Sequence, residues 1–479
     1  MINSNFFYLS PEERRMLREK VFVLLESYGV NLDPHPQMFK NLKNANLVID
    51  EDNHNVKFPK SILEKLIENA PKSFVLGCQD RDNSLPLPRP DGTFYARSGT
   101  GAHGYIDPAT GNYRKVTLED LAQWATLINQ LDEISFLPYL FANDAPAKTA
   151  DVHALATLLK STPKHIWVQP YSSESVEHLI ALGAAAAGGR KALAANPVIS
   201  MIACSLTPRS FKSMDIEIIL EAAEAGIPIH ACSLPGAGGT APATIPGTVL
   251  LAVAEILAIT AMAQVVNPGA PVVACPIIFS TDMRTGRSLQ ASVEAIRGAS
   301  MAVQFIRKEF GLPTHCYGSG TDSPTIDEQS FSERSMLTTW MAASGLDIFG
   351  GAGQLEVATA VSPLQLIIDN EILAMARKLI APFHLDDDQL AWEALTTVSP
   401  GKDFLTIDHT LLHCRDGFSP FNFIRSARDD WQAGGAKSLL DRARDRYVDM
   451  KGPKNRYAVK EELAKELDDL VGAADRAIH

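Results

Sequence analysis

The sequence predicts an α/β protein, a (β/α)8 TIM barrel with an N-terminal helical preface and a C-terminal helical appendage. Three observations carry that prediction. Eight short β-branched or aromatic runs alternate with eight helical patterns between Thr93 and Ile380. The runs read as strands buried on both faces, as a parallel sheet covered by helices requires. Several helical patterns stop at a glycine just before the next run, at Gly226, Gly311 and Gly345, the left-handed cap that leads into a short connection. A doubly wound open sheet has the same alternation, and counting elements does not prove closure.

Residues 1–90 form the preface. Ser10 and Glu13 in "LSPEERRMLREK" read as a capping box, with helical patterns around Pro11–Tyr28 and Lys60–Asn69 and a proline-dense joint at Leu85–Gly92, "LPLPRPDG". The barrel occupies residues 91–381. Its strand runs are Thr93–Ser98, Ile134–Phe141, His165–Pro170, Val198–Ser205, Pro228–Leu234, Pro271–Phe279, Thr314–Gly320 and Leu346–Gly353, with helical patterns from "TLEDLAQWATLINQL" to "SPLQLIIDNEILAMARKLI" after them. Past Leu379 the rhythm stops. Residues 382–479 hold "FLTIDHTLLHC", an Arg/Asp-rich helix near Ala436–Met450 and a charged terminal helix, an appendage expected to pack on the barrel or on a neighbouring subunit.

A formal net charge of −12 argues against nucleic acid and anionic membranes as partners. No secretory signal opens the chain, and the most apolar run, Val249–Val266, holds Glu255 and Gln264 and reads as a buried helix. The six cysteines form no C-x-x-C pair, so reduced thiols in the cytoplasm are expected.

The stretch "ARSGTGAHGYID" spaces Gly99, Gly101 and Gly104 as G-x-G-x-x-G. A dinucleotide site needs those glycines to run straight into a helix N-terminus, but here a turn-rich loop intervenes and the helix starts near Thr117. The loop hangs instead from a strand end, where barrel active sites sit. Similar glycine-rich loops follow three other strands, "GAGGTAP" (Gly236–Pro242), "GSGTDSP" (Gly318–Pro324) and "GGAGQLE" (Gly350–Glu356). Together they suggest a broad mouth for a large planar or bulky partner, with unliganded flexible loops as the plain alternative.

Polar groups at strand ends are the candidates for chemistry: His230, Asp282, Arg284, His315, Asp322, Gln354 and Glu356. A histidine there is as readily a satisfied core residue, and Asp282 and Arg284 pair with each other across a turn in the simplest reading. Glu356, in an apolar setting, reads as a buried carboxylate that needs a partner. Cys204, Cys232, Cys275 and Cys316 fall at similar depths in successive strands, better read as small hydrophobes than as zinc ligands. Aromatic residues cluster near strand ends: Tyr105, Phe141, Trp167, Tyr171, Phe279, Tyr317 and Phe349. Such rings hold a quaternary ammonium, which has no N–H to bond, and Trp167 is the foremost candidate.

The segments "GIPIHACSLPGAGGTAPATIPGTVLLAVAEILAITAMAQVVNPGAPV", "DMRTG", "GSGTDSPTIDEQSFSE", "FGGAGQLEVATAVSPLQLIIDNEIL" and "FLTIDHTLLH" together resemble the trimethylamine methyltransferase family, as does "YIDPATGNYRKVTLEDLAQWATLINQLDEI". The resemblance spans roughly residues 100–415. It implies a barrel enzyme that moves a methyl group from an amine nitrogen to cob(I)alamin on a separate corrinoid protein. Its methanogen members hold pyrrolysine in the window corresponding to Gly318–Asp327, where this chain has only standard residues, "GSGTDSPTID". Similar proteins without pyrrolysine act on quaternary amines, glycine betaine foremost, so trimethylamine becomes a doubtful substrate, with proline betaine and carnitine as alternatives. The resemblance further implies Glu356, Asp322 and Gln354 as catalytic or electrostatic groups, and Trp167, Tyr171, Tyr105, Phe279, Phe349, His230 and Arg284 around the substrate. Gly101, Gly238, Gly239, Gly320 and Gly351 would face the corrinoid. No metal of the chain's own is expected, and a homo-oligomer is. Two other classes stay open: a barrel lyase or isomerase using Asp/His pairs, and a non-catalytic betaine- or corrinoid-binding module.

Overall fold

The computed structural model describes residues 7–452 and 457–478. Eight parallel strands form its centre: β1 (Tyr95–Ser98), β2 (Ile134–Pro138), β3 (His165–Val168), β4 (Ile199–Cys204), β5 (Ile229–Ser233), β6 (Val272–Pro276), β7 (His315–Tyr317) and β8 (Ile348–Ala352). Each lies inside the run that predicted it. The sheet order is β6-β5-β4-β3-β2-β1-β8-β7. Ala274 of β6 bridges Thr314 beside β7, and its N–H donates to the Pro313 carbonyl at 2.8 Å, so the sheet closes on itself. That closure separates the barrel from the open-sheet alternative. Eight helices follow the strands in turn: α1 (Leu118–Ile128), α2 (Ala150–Ser161), α3 (Ser175–Ala187), α4 (Ser213–Glu224), α5 (Ile245–Val266), α6 (Val293–Phe310), α7 (Glu328–Ala343) and α8 (Pro363–Ile380).

Strand parity divides the apolar residues into two cores. Inward positions include Tyr95, Phe136, Trp167, Ile202, Cys232, Val273, Cys275, Tyr317 and Ile348, one cluster inside the barrel. Outward positions such as Ala96, Ile166, Met201, Ala231, Cys316 and Phe349 join the larger core under the helices.

The preface is less helical than predicted. Val30–Leu32, Asn55–Lys57 and Val48–Asp50 form a small sheet that continues onto Ser210–Phe211, in the loop after β4. The proline-dense joint also hides a hairpin, Phe74–Leu76 with Leu85–Leu87, whose leucines enter the inner cluster. Gly77 N–H donates to Pro197 O and Gln79 N–H to Pro163 O, both at 2.9 Å, just before β4 and β3. The hairpin therefore plugs the N-terminal end of the barrel.

The helices Pro11–Val23 and Lys60–Asn69 pack over α5, which explains why α5 is apolar all round. By length and composition α5 is long enough to cross a membrane, yet it is buried between barrel and preface. Its Glu255 is satisfied there by Ser205 Oγ (2.5 Å), Thr207 Oγ1 (2.9 Å), Arg209 N (2.6 Å) and Ser233 Oγ (2.6 Å). In the appendage, helix Leu439–Met450 packs on α8 and helix Glu461–Ala477 on α2 and α3.

Candidate functional site

A continuous polar chain crosses the barrel interior. Arg97 Nε–H donates to His315 Nε2 at 2.7 Å. His315 Nδ1 meets His230 Nδ1 at 2.9 Å, His230 Nε2 meets Ser200 Oγ at 3.1 Å, and Ser200 Oγ meets His165 Nε2 at 2.8 Å. The chain ends with His165 Nδ1 on the Gly77 carbonyl of the plug, at 2.8 Å. A guanidinium N–H can only donate and a carbonyl can only accept, so His315 donates from Nδ1, His230 from Nε2 and His165 from Nδ1, which makes His315 and His230 neutral. With His165 neutral as well, the Ser200 hydroxyl donates to its Nε2. Burial pushes each of them down, His165 to about 4 and His230 and His315 well below the usual range, with Arg97 adding to the shift of the last two.

Arg97 is the exceptional group. It is 0% exposed, yet among the described residues no carboxylate forms an ion pair with it; its side-chain hydrogen bonds go to His315 and the Ser98 carbonyl. Its Nη1 donates to Ser98 O at 2.9 Å, while Nη2 has no hydrogen-bond partner. Its Cζ sits 4.3 Å from the Trp167 ring centre and 5.8 Å from that of Tyr317. Trp167 Nε1 is a second buried donor left unpaired beside it. A buried cation with a free donor and no counter-ion is costly, and it is complementary to an anion delivered from outside. Sequence reasoning passed over Arg97, although a charged residue within the buried run "TFYARS" was the available signal.

Toward the C-terminal ends of the strands, buried Tyr317 and Ile277 belong to the inner cluster, and half-buried Cys204, Leu234, Phe279 and Ala358 pack against it. The rings of Phe279 and Tyr317 meet edge-on at 6.3 Å. Cys204, Cys232 and Cys275 are direct register partners at this level, and burial drives the Cys232 thiol far up. Cys316 departs from that row, turning outward to donate to Pro276 O at 3.0 Å. The loop after β8 bears strain: Glu356, Val357 and Ala358 have φ of +51°, +54° and +70°. A β-branched residue there is a genuine outlier, and such residues gather at ligand-binding turns. The loop is held by Glu356 N–H on Ser323 O (2.9 Å) and Val357 N–H on Thr321 O (3.0 Å).

Behind the β7 and β8 loops lies a paired buried charge. Arg334 Nη1 meets Asp369 Oδ2 at 2.5 Å, both side chains fully buried. Asp369 also accepts from Gly353 N–H (2.6 Å) and Ser319 Oγ (3.1 Å), and Arg334 reaches the Gln354 carbonyl. The hub clamps both loops in place.

Several expected site residues lie elsewhere or do other work. Tyr105 packs outside the barrel, under the Arg114 guanidinium (4.5 Å) and against Tyr447, on a hairpin that pairs with Ala360–Val361. Phe349 has outward parity and stacks on Phe94 at 3.9 Å. Arg284 is 93% exposed in a surface turn, its nearest acid Asp282 at 3.9 Å. Glu356 is half-exposed, not buried, with Arg287 at 3.9 Å. Asp322 accepts from Gln290 N–H at 2.7 Å and Ala291 N–H at 3.2 Å, which makes it a loop brace. Gln354 is buried and donates to Gln290 Oε1 at 2.7 Å, with its own Oε1 unpaired. Gly320 and Gly351 do not offer open backbone, since a side chain there would strike Gln290 and the Ser319 carbonyl. Trp167 is in the barrel, but Arg97 occupies its face, and His230 is spent within the chain. Tyr171 stands in an aromatic row, 4.7 Å from Phe141, which stacks on His103 at 4.4 Å. Phe279 lies at the mouth, and Gly101, Gly238 and Gly239 lie in the loops after β1 and β5.

A closed parallel barrel with a polar interior and strained loops at the strands' C-terminal ends defines a (β/α)8-barrel enzyme architecture. The chain belongs to the trimethylamine methyltransferase (MTTB) family, whose model matches residues 3–477. It is 28% identical over 475 residues to trimethylamine methyltransferase MttB of Methanosarcina barkeri (strain Fusaro / DSM 804), covering 98% of this chain and 95% of the relative. It is likewise 28% identical over 427 residues to the glycine betaine methyltransferase of Desulfitobacterium hafniense (strain Y51), covering 88% of each. The crystal structure of the Methanosarcina barkeri monomethylamine methyltransferase (MtmB) shares the fold, with a TM-score of 0.51 at 15% identity over 92% of both chains. The full-length match to methylamine and betaine methyltransferases makes this chain a member of an enzyme family of methyl transfer.

Proposed function

We propose that the chain transfers a methyl group from a quaternary amine, glycine betaine first, to cob(I)alamin on a separate corrinoid protein, leaving dimethylglycine. The observation that supports this substrate is Arg97, a buried cation with an unpaired Nη2 and, among the described residues, no carboxylate paired with it. A betaine carboxylate completes that ion pair. The trimethylammonium end is then directed outward, past Tyr317 to Phe279, where each ring contributes about 0.5–2 kcal/mol by cation–π attraction. Trimethylamine brings no anion, and its protonated form is repelled by the same guanidinium.

The chain's residues bind and orient; they do not need to act as acid or nucleophile. The quaternary nitrogen already carries its charge, so the C–N bonding pair leaves with it as a neutral tertiary amine. The docked corrinoid supplies the nucleophile for this in-line displacement. Arg97 fixes the far end of the substrate, the aromatic pair presents one methyl at the mouth, and the strained 356–358 turn helps exclude water. Rim glycines fit a planar partner only in part: Gly101 has Phe141 at an ordinary 3.5 Å, whereas a side chain at Gly238 or Gly239 would press on Met283 or Thr281 at 3.1 Å, and Gly320 and Gly351 are taken up by packing.

The test mixes the purified chain with free cob(I)alamin and a panel of glycine betaine, proline betaine, carnitine and trimethylamine, following the cobalt absorption change. Turnover with glycine betaine and none with trimethylamine is expected. Turnover with trimethylamine alone overturns the reading.

A further inference from the structure

Residues 382–420 pose a physical problem: of these residues only Ala394 is buried. Phe383, Leu385, Leu405 and Leu411 are each more than 70% exposed. The segment holds two short helices, Trp392–Thr397 and Asp408–His413, too little to build a core of its own. Stretches that cannot bury enough apolar surface are commonly held by a disulfide or a metal. The cysteine here, Cys414, is free.

Three potential ligands converge at this point. Asp388, His409 and His413 place their donor atoms within 4.8 Å of one another, the one such group among the described residues. The i, i+4 spacing of the histidines puts both imidazoles on one face of the helix, with ring centres 4.4 Å apart. His413 Nε2 lies 3.2 Å from Asp388 Oδ2, close to the edge of a tetrahedron of ligands at about 2.0 Å. Asp416 Oδ2 takes the other ring nitrogen, Nδ1, at 2.7 Å. A carboxylate behind a histidine is the arrangement that orients metal-bound imidazoles. His409 Nε2 rests on the Asp388 carbonyl at 2.8 Å, within the same cleft. That cleft, of about 600 Å³, is lined by Asp387, Asp388, Trp392, Thr397, His409 and Leu412 and lies beside the group.

We propose that Asp388, His409 and His413 form a structural site for a borderline divalent cation of the zinc class, oriented by Asp416, which staples the 382–420 segment. The sequence predicts no metal of the chain's own, with the barrel cysteines better read as small hydrophobes than as zinc ligands. The convergent geometry is in the appendage instead, on residues the proposed methyl transfer does not use, and it is independent of how that site is read.

The test uses the full chain without an affinity tag, loaded with Co²⁺ as a spectroscopic probe and with Zn²⁺. The expected result is about one equivalent bound per chain, with the intense visible bands of four-coordinate cobalt. His409→Ala/His413→Ala loses the bands, and Asp416→Asn weakens Co²⁺ binding by about 10- to 100-fold. Limited proteolysis supplies a second readout: chelator treatment of the wild type opens cleavage within 382–420, and added Zn²⁺ restores protection. Wild type that binds no more Co²⁺ than the double variant overturns the site. Cleavage that is the same with and without metal overturns its structural role.

Discussion

Two arginines among the described residues are 0% exposed, and they are buried in opposite ways. Arg334, behind the β7 and β8 loops, is matched by Asp369 at 2.5 Å and by backbone and hydroxyl partners around it. Arg97, inside the barrel, faces aromatic rings, a neutral histidine and one carbonyl, with Nη2 unpaired. A charge used to hold a fold is compensated by the fold. A charge left open in a dry interior is compensated by something that arrives, and this contrast distinguishes scaffold from site more sharply than burial alone.

The largest expected effect breaks the compensated pair. Asp369→Asn leaves the Arg334 charge buried without its partner and frees the Gly353 and Ser319 bonds, so chemical denaturation should register a loss of about 3–5 kcal/mol. Arg97→Met tests the other half. Removing an uncompensated cation should hold or raise Tm, while kcat/KM for glycine betaine falls on the order of 10²–10³-fold, the scale for truncating one member of a buried charge pair. A variant that loses stability instead would place Arg97 with Arg334 as scaffold.

The barrel was legible because alternation and glycine caps are local signals. The site was not, because it depends on which side of each strand faces in. Phe349 and Tyr317 looked equivalent in the sequence, one residue of parity apart in effect: Tyr317 turns into the barrel and Phe349 onto Phe94. Arg284 and Asp282, a plausible polar pair at a strand end, ride a turn that points the Arg284 side chain into solvent, 93% exposed. The polar chain joins residues from six separated segments, with Arg97 and His315 218 positions apart, a pairing only barrel closure creates. In the appendage "FLTIDHTLLH" was noticed as a family segment, but the common face of its two histidines was not read.

A smaller effect follows from the neutral histidines. A histidine held down at about 4 in the folded state binds its proton in the unfolded chain first, below about pH 6.5. The unfolded state therefore gains protons as pH falls, and stability drops through that window. Asp215, which burial raises to about 6, acts in the opposite sense between its ordinary carboxylate range and pH 6. The comparison of wild type with His165→Gln cancels that background. Wild type should lose about 1.4 kcal/mol per pH unit more than the variant between pH 6.5 and 4, in urea titrations at matched ionic strength. Parallel acid arms would mean that His165 is protonated in the native state, and the dictated proton order along the chain would fail with it.

The smallest expected effect locates the quaternary nitrogen. If Arg97 already occupies the Trp167 face at 4.3 Å, the indole has no face left for a second cation, and like charges 4–5 Å apart in a low dielectric would not share it. Trp167→Phe should then shift the KM for betaine by less than about 2-fold, since the lost term of about 0.5 kcal/mol falls on Arg97 and is offset by removal of the unpaired Nε1 donor. Phe279→Ala, at the mouth, should raise the same KM by about 2- to 30-fold with kcat little changed. The reverse ranking would put the trimethylammonium deep in the barrel and the carboxylate at the rim. Arg97 would then repel the substrate's charged end, and the argument from an open cation would have its polarity wrong.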